Sequence, residues 1–223
     1  MPMEQLLNKI SLQTDWSRSS PAELALIIGA LVFLPTLLIT STSFTRIVIV
    51  LSFVRRALAT PEIPPNIVVL SISLFLTVYI MGPVYDDIHA NAITPYMNSE
   101  ITATQFLDRA SSFLRQYLLR HTRKNDLLLF QQMSQAPPIT SVDHTPLRIL
   151  IPAYITSELK TAFIMGFCIY LPFLLIDLVV AAVLSGMGMM MMPPIVVSTP
   201  LKMLLFVLVD GWKLVIQVLV SSY

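Results

Sequence analysis

A single cysteine, few charges and no catalytic signature are what this sequence of 223 residues withholds. Cys168 alone excludes an intrachain disulfide framework and a thiolate metal cluster, and its apolar surroundings suggest a small buried hydrophobe. Charged residues are 12% of the chain, about half the ~25% of soluble proteins. With 55% hydrophobic residues and a mean hydropathy of +0.75, that scarcity points to a membrane or membrane-like protein. A net charge of +1 gives no footprint for nucleic acid or for an acidic substrate. HExxH, paired CxxC, GxSxG and glycine-rich phosphate loops are all missing. The three histidines, His89, His121 and His144, fall in the polar middle and read as surface residues. Asp86-Asp87 has no third ligand at useful spacing and reads as a helix-end cap. Ser157-Glu158 has no His or Asp nearby to orient a nucleophile. No enzyme, metal or cofactor is expected. The N-terminus lacks a basic stretch followed by an apolar one, so no cleavable signal is expected.

What the chain does contain is long apolar runs. A polar segment, 1–22, leads to a helix start at Ser20, Pro21 and Glu23, with Ser20 as N-cap. The run 24–44 is long enough to span a bilayer. Arg46, the run IVIVLSFV and the basic turn Arg55-Arg56 follow, and Pro61, Pro64 and Pro65 then interrupt any helix. A second long run covers 67–85, so 23–85 reads as a first apolar helical hairpin. Residues 86–150 form a polar insert with six acids and six bases. Within it Phe106, Leu107, Ala110, Phe113, Leu114, Tyr117 and Leu118 recur at the 3.6-residue spacing of an amphipathic helix. From 151 to 223 apolar runs return at 161–176, 178–201, 203–209 and 214–220, a second hairpin. Hydropathy alone predicts an all-α chain with four spans, the Arg55-Arg56 turn inside and the insert outside.

These runs suit lipid poorly. Pro35, Pro83, Pro152, Pro172, Pro193, Pro194 and Pro200 each remove a backbone donor, which hydrocarbon tolerates only where protein or water satisfies the freed groups. Six charges also lie between 149 and 223: Glu158, Lys160, Asp177, Lys202, Asp210 and Lys213. A mid-bilayer Asp or Lys costs about 2.5–3.5 kcal/mol on insertion scales. Glu158 and Lys213 also fit span ends, whereas Asp177 and Lys202, with apolar residues on both sides, read as buried pairs. The helices are therefore expected to face protein, in an assembly larger than one chain.

Between two of the runs stands SGMGMMMMPP, with Met187, Met189, Met190, Met191 and Met192 inside six positions. Gly186 and Gly188 loosen the backbone on one side, and Pro193 and Pro194 halt it on the other. Four consecutive methionines rotate about 100° per residue in a helix and cannot all face one core. Their flexible, polarizable side chains suit a surface that must repack around irregular shapes. A copper(I) path is the alternative, from the Met187-x-Met189 spacing and the Met165–Cys168 pair, but no His- or Cys-rich capture site accompanies them.

TSFTRIVIVLSFVRRALATPEIPPN (41–65), PAYITSELKTAF (152–163), PFLLIDLVVAAVL (172–184), GMMMMPP (188–194) and LKMLLFVLVDGW (201–212) stand in one order that resembles the FliP family. These are export-gate components of type III secretion, and the wording is nearer the flagellar branch than the virulence one. The resemblance implies a five-copy ring joined by FliQ and FliR, in a closed helical cone largely above the bacterial inner membrane. That cone belongs to the flagellar basal body and passes unfolded flagellar subunits outward. It also replaces the four-span expectation. Met189, Met190 and Met191 match the family's methionine loop at the narrowest part of the pore, and Met192 stands where many members have valine. Glu158 and Lys202 match positions that imply a charged contact between neighbouring subunits. Asp177 and Asp210 match positions of structural or coupling charges.

Overall fold

The computed structural model describes residues 39–60, 63–134, 145–189 and 191–223, with positions 25, 28, 29, 32 and 36. Two compact units divide the chain, 1–39 and 40–223. In the first, the described positions are helical. The expected cap at Ser20, and Pro35, lie outside the described residues.

The second unit is helical, with no strand among the described residues. Helix α1, Phe44–Ala57, is its core. Ile47, Val50, Leu51, Val54 and Ala57 follow the three-and-four spacing of one face, and all are buried. Against that face lie α2, Asn66–Ile88, and α6, Leu147–Gly186. The approach of α1 to α6 is close: a Cβ on Gly166 would sit 2.5 Å from the Phe53 ring. Phe173, Phe206, Val215 and Leu219 complete this core.

Helix α2 runs through Pro83 and past Asp86 and Asp87, which sit exposed inside its last turn rather than capping it. A π-helical turn, His89–Ile93, carries the chain into the short α3, Thr94–Met97. The insert then forms α4, Ala103–His121, and α5, Lys124–Met133. Thr102 and Gln105 make a reciprocal capping box at the start of α4. The amphipathic face expected here is used selectively, since Tyr117 and Leu118 are buried with Leu150 and Tyr154 while Leu107 is 63% exposed.

Helix α6 spans 40 residues without a break. At 1.5 Å per residue it is roughly 60 Å long. Hydropathy split this stretch at Asp177, but that charge is paired across to a neighbouring helix and the backbone runs on. The break comes ten residues later, in the methionine turn. Helix α7, Pro194–Leu208, and α8, Gly211–Ser221, follow, with 64° between them. Two helical stretches, Asn66–Met97 and Leu147–Gly186, are long and apolar enough to cross a membrane, or three if the bent α7–α8 pair is one span. The run 24–44, first of the four spans that hydropathy suggested, falls partly outside the described residues and is not among these. Cys168 is exposed on α6, not buried, because its side of the helix faces away from α1.

Candidate functional site

The methionine turn has a defined backbone. At the end of α6 the amide of Met189 donates to the Leu184 carbonyl (2.9 Å) and that of Gly188 to Ser185 (3.1 Å). These are the two bonds of a Schellman cap, and Gly188 supplies its left-handed residue at φ 75°. A further bond from the Met192 amide to the Met189 carbonyl (3.2 Å) closes the turn. Pro193 then caps α7, and Pro194 opens it, where a missing N–H costs nothing. The side chains point outward: Met187 is 67% exposed, Met189 42% and Met191 98%, while Met192 is half-buried. Met190 lies outside the described residues.

The two glycines differ. Gly188 needs its positive φ, whereas Gly186 is the last helical residue of α6 and has open space where a Cβ would go. Gly188→Ala is therefore expected to cost about 1 kcal/mol or more in thermal unfolding, while Gly186→Ala is neutral or stabilising. Equal effects would remove Gly188 from the turn's design.

Beneath the turn, Lys202 of α7 donates to Asp177 of α6 at 2.6 Å, tying the two arms of the hairpin. The Lys202 side chain is 3% exposed and that of Asp177 40%. Glu158 lies elsewhere. Its two oxygens accept from Arg46 of α1, Nε to Oε2 at 2.8 Å and Nη2 to Oε1, and Oε2 also accepts from the Tyr223 hydroxyl. Arg46 is nearly as buried as Glu158, and its third nitrogen donates to the Ser222 carbonyl (3.0 Å) and hydroxyl (2.9 Å). Within the chain Glu158 and Lys202 thus each have a partner of their own, Arg46 and Asp177, and the contact expected between them is one between neighbouring subunits. Asp210 is exposed and left-handed (φ 53°) at the α7–α8 bend, where it begins α8.

Several residues at this site gave no signal in the sequence beyond their polarity. Tyr154 donates to the Thr42 carbonyl (3.0 Å) and lies 3.5 Å from the Tyr117 hydroxyl. Burial pushes Tyr117 up to about 12, so its hydroxyl keeps its proton at neutral pH. Ser157 donates to Asp126 (2.6 Å) and accepts from the Arg123 amide (3.0 Å), and Arg123 also reaches Thr161 (3.0 Å). Those bonds dock the insert one residue from the buried Glu158. His121, expected at the surface, is half-buried with Nδ1 2.8 Å from the Tyr117 carbonyl. Within α6, residues 154–161 thus gather α1, the insert and the chain's last residues on two turns.

Helices throughout the described residues, two stretches of bilayer length, buried charges paired between helices and an exposed methionine turn define a helical protein of the membrane-spanning class. The FliP family model matches residues 27–219, and the chain belongs to that family. The flagellar biosynthetic protein FliP of Bacillus subtilis (strain 168) is 44% identical over 221 residues, 99% of this chain and 100% of that protein. Its namesake in Pectobacterium carotovorum subsp. carotovorum is 46% identical over 209 residues, 94% of this chain and 80% of that one. The namesake in Aquifex aeolicus (strain VF5) is 45% identical over 202 residues, 90% and 84% of the two chains.

Proposed function

We propose that this chain is a core subunit of the flagellar type III protein export gate, a conduit and not a catalyst. Five copies, with FliQ and FliR, would form the pore that passes unfolded flagellar subunits across the inner membrane. In this reading the methionine turns meet on the axis as a deformable seal formed by Met187 and Met189 to Met192. The Arg55-Arg56 side of 23–85 faces the cytoplasm, and the insert 86–150 the periplasm. The second hairpin, 151–223, carries the seal.

The observation that carries the reading is the hairpin of α6 and α7. Helix α6 is roughly twice the ~30 Å of a bilayer's hydrocarbon core, so part of it must stand outside lipid. One apolar flank of it is exposed through Phe163, Phe167, Leu171, Leu175 and Val179. Exposed apolar area on that scale marks a surface covered by protein or lipid, and in this reading neighbouring subunits cover the stretch that lipid does not, up to the turn. Thioethers on an axis would exclude ions by dewetting and still yield to a passing chain. Native mass spectrometry of the chain co-expressed with FliQ and FliR tests the assembly. Five copies per complex are expected, and a monomer bound to either companion would overturn the ring.

A further inference from the structure

Helices α7 and α8 form one bent arm, with 64° between them. At their bend, a Cβ on Gly211 would sit 2.3 Å from Phe206, so only glycine fits under that ring. Trp212 meets Phe206 edge-on at 5.3 Å, and Phe206 lies 6.2 Å from Phe173 of α6. A displacement of α8 therefore bears on Phe206 of α7, the helix that leads back to the methionine turn. The arm's far end is held by Ser222 and Tyr223. Both engage Arg46 and Glu158, and the Arg46 guanidinium stacks 3.9 Å above the Tyr223 ring.

Two features make this a releasable contact. Tyr223 borders an open cavity of about 640 Å³, walled also by Tyr79, Pro83, Tyr117, His121 and Val220. The ring therefore has room to leave. Its departure also strands no charge, because Glu158 keeps two donors from Arg46. A contact that can be broken without stranding a buried charge, beside an empty space, is built differently from ordinary core packing.

We propose that Ser222–Tyr223 is a catch. Engaged on Arg46 and Glu158, it holds the α7–α8 arm and so keeps the methionine turn in its closed position. Released, it frees the last turn of α8, and the loosening reaches the methionine turn through Phe206 and α7. This inference rests on reading the turn as the pore seal.

Hydrogen exchange on the assembled complex tests it, with Tyr223→Phe removing only the hydroxyl that Glu158 accepts. Amides of the last turn of α8 and of residues 187–193 are expected to exchange about tenfold faster, those of α5 and the first half of α2 at the wild-type rate. Ser222→Ala should act in the same direction by about threefold. A wild-type rate in the last turn of α8 overturns the catch. So does faster exchange there with residues 187–193 unchanged, or a uniform rise that includes α2. Ion leak through the complex carrying Met189→Ala and Met191→Ala is measured in parallel. A normal leak there defeats the seal reading, whereas the exchange pattern alone decides whether the arm is caught at Tyr223.

Discussion

A chain carrying Glu158→Ala is expected to lose about 3–5 kcal/mol of folding stability, the cost of leaving a buried ion without its partner. Arg46 cannot relieve the loss by neutralising, because a guanidinium keeps its proton at any working pH. Its side chain is 5% exposed, so water cannot replace the carboxylate either. The Tyr223 hydroxyl loses its acceptor in the same step. Arg46→Glu should be as damaging, and Arg46→Glu with Glu158→Arg should recover part of the loss. At the other pair, Lys202→Glu should be rescued by Asp177→Lys and not by Glu158→Lys. Thermal unfolding and yield of the purified complex report both series. Rescue of Glu158→Lys by Lys202→Glu would show that the two meet across subunits, contrary to the pairs within the chain.

Shortening the exposed methionines should open the closed pore. Met189→Ala with Met191→Ala removes the thioether from two exposed positions in every copy, while keeping the Schellman cap and Gly188. A narrow apolar gap excludes ions because water leaves it, and a wider gap stays wet. Even about 1.4 kcal/mol off the barrier to ion passage is a tenfold rise in flux. Conductance of the complex in planar bilayers is therefore expected to rise at least about tenfold. Met191→Leu, which keeps volume and apolarity, should leave the closed leak near wild type but slow substrate passage, since a branched side chain repacks less readily.

Much of this fold was legible in the sequence because periodicity and turn chemistry are local. The insert's helix announced itself through the spacing of Phe106, Phe113, Leu114, Tyr117 and Leu118, and the α6–α7 turn through its glycines and prolines. The pairing of Asp177 with Lys202 was only half readable: each charge lies too deep in an apolar run to be left alone, but the family motifs set Lys202 against Glu158 instead. Its partners lie only 25 residues apart across that visible turn. Arg46 was not readable as the partner of Glu158. It stands 112 residues away, beside a basic stretch that looked like an inside turn, and nothing local tells which acid it meets. The continuity of α6 escaped for a related reason. Hydropathy treats Asp177 as an end, whereas a carboxylate held by a lysine can sit in mid-helix without breaking the backbone ladder. Residue type also could not say which glycine of the turn matters, a question that φ at Gly188 answers.

The convergence of several methionine turns on one axis is the claim on which the rest depends. Disulfide formation from Met191→Cys, in a chain with Cys168→Ser, tests it most directly. Met191 is 98% exposed at the tip of the hairpin, so a thiol there is free to meet its counterpart if the tips adjoin. Mild oxidation of the assembled complex is expected to join chains in pairs through residue 191. A control thiol at exposed Leu107 of the insert, 63% exposed, should give none. Unpaired chains at 191 in a complex that has kept its mass would show that the tips stand apart, and the turn would not be the seal.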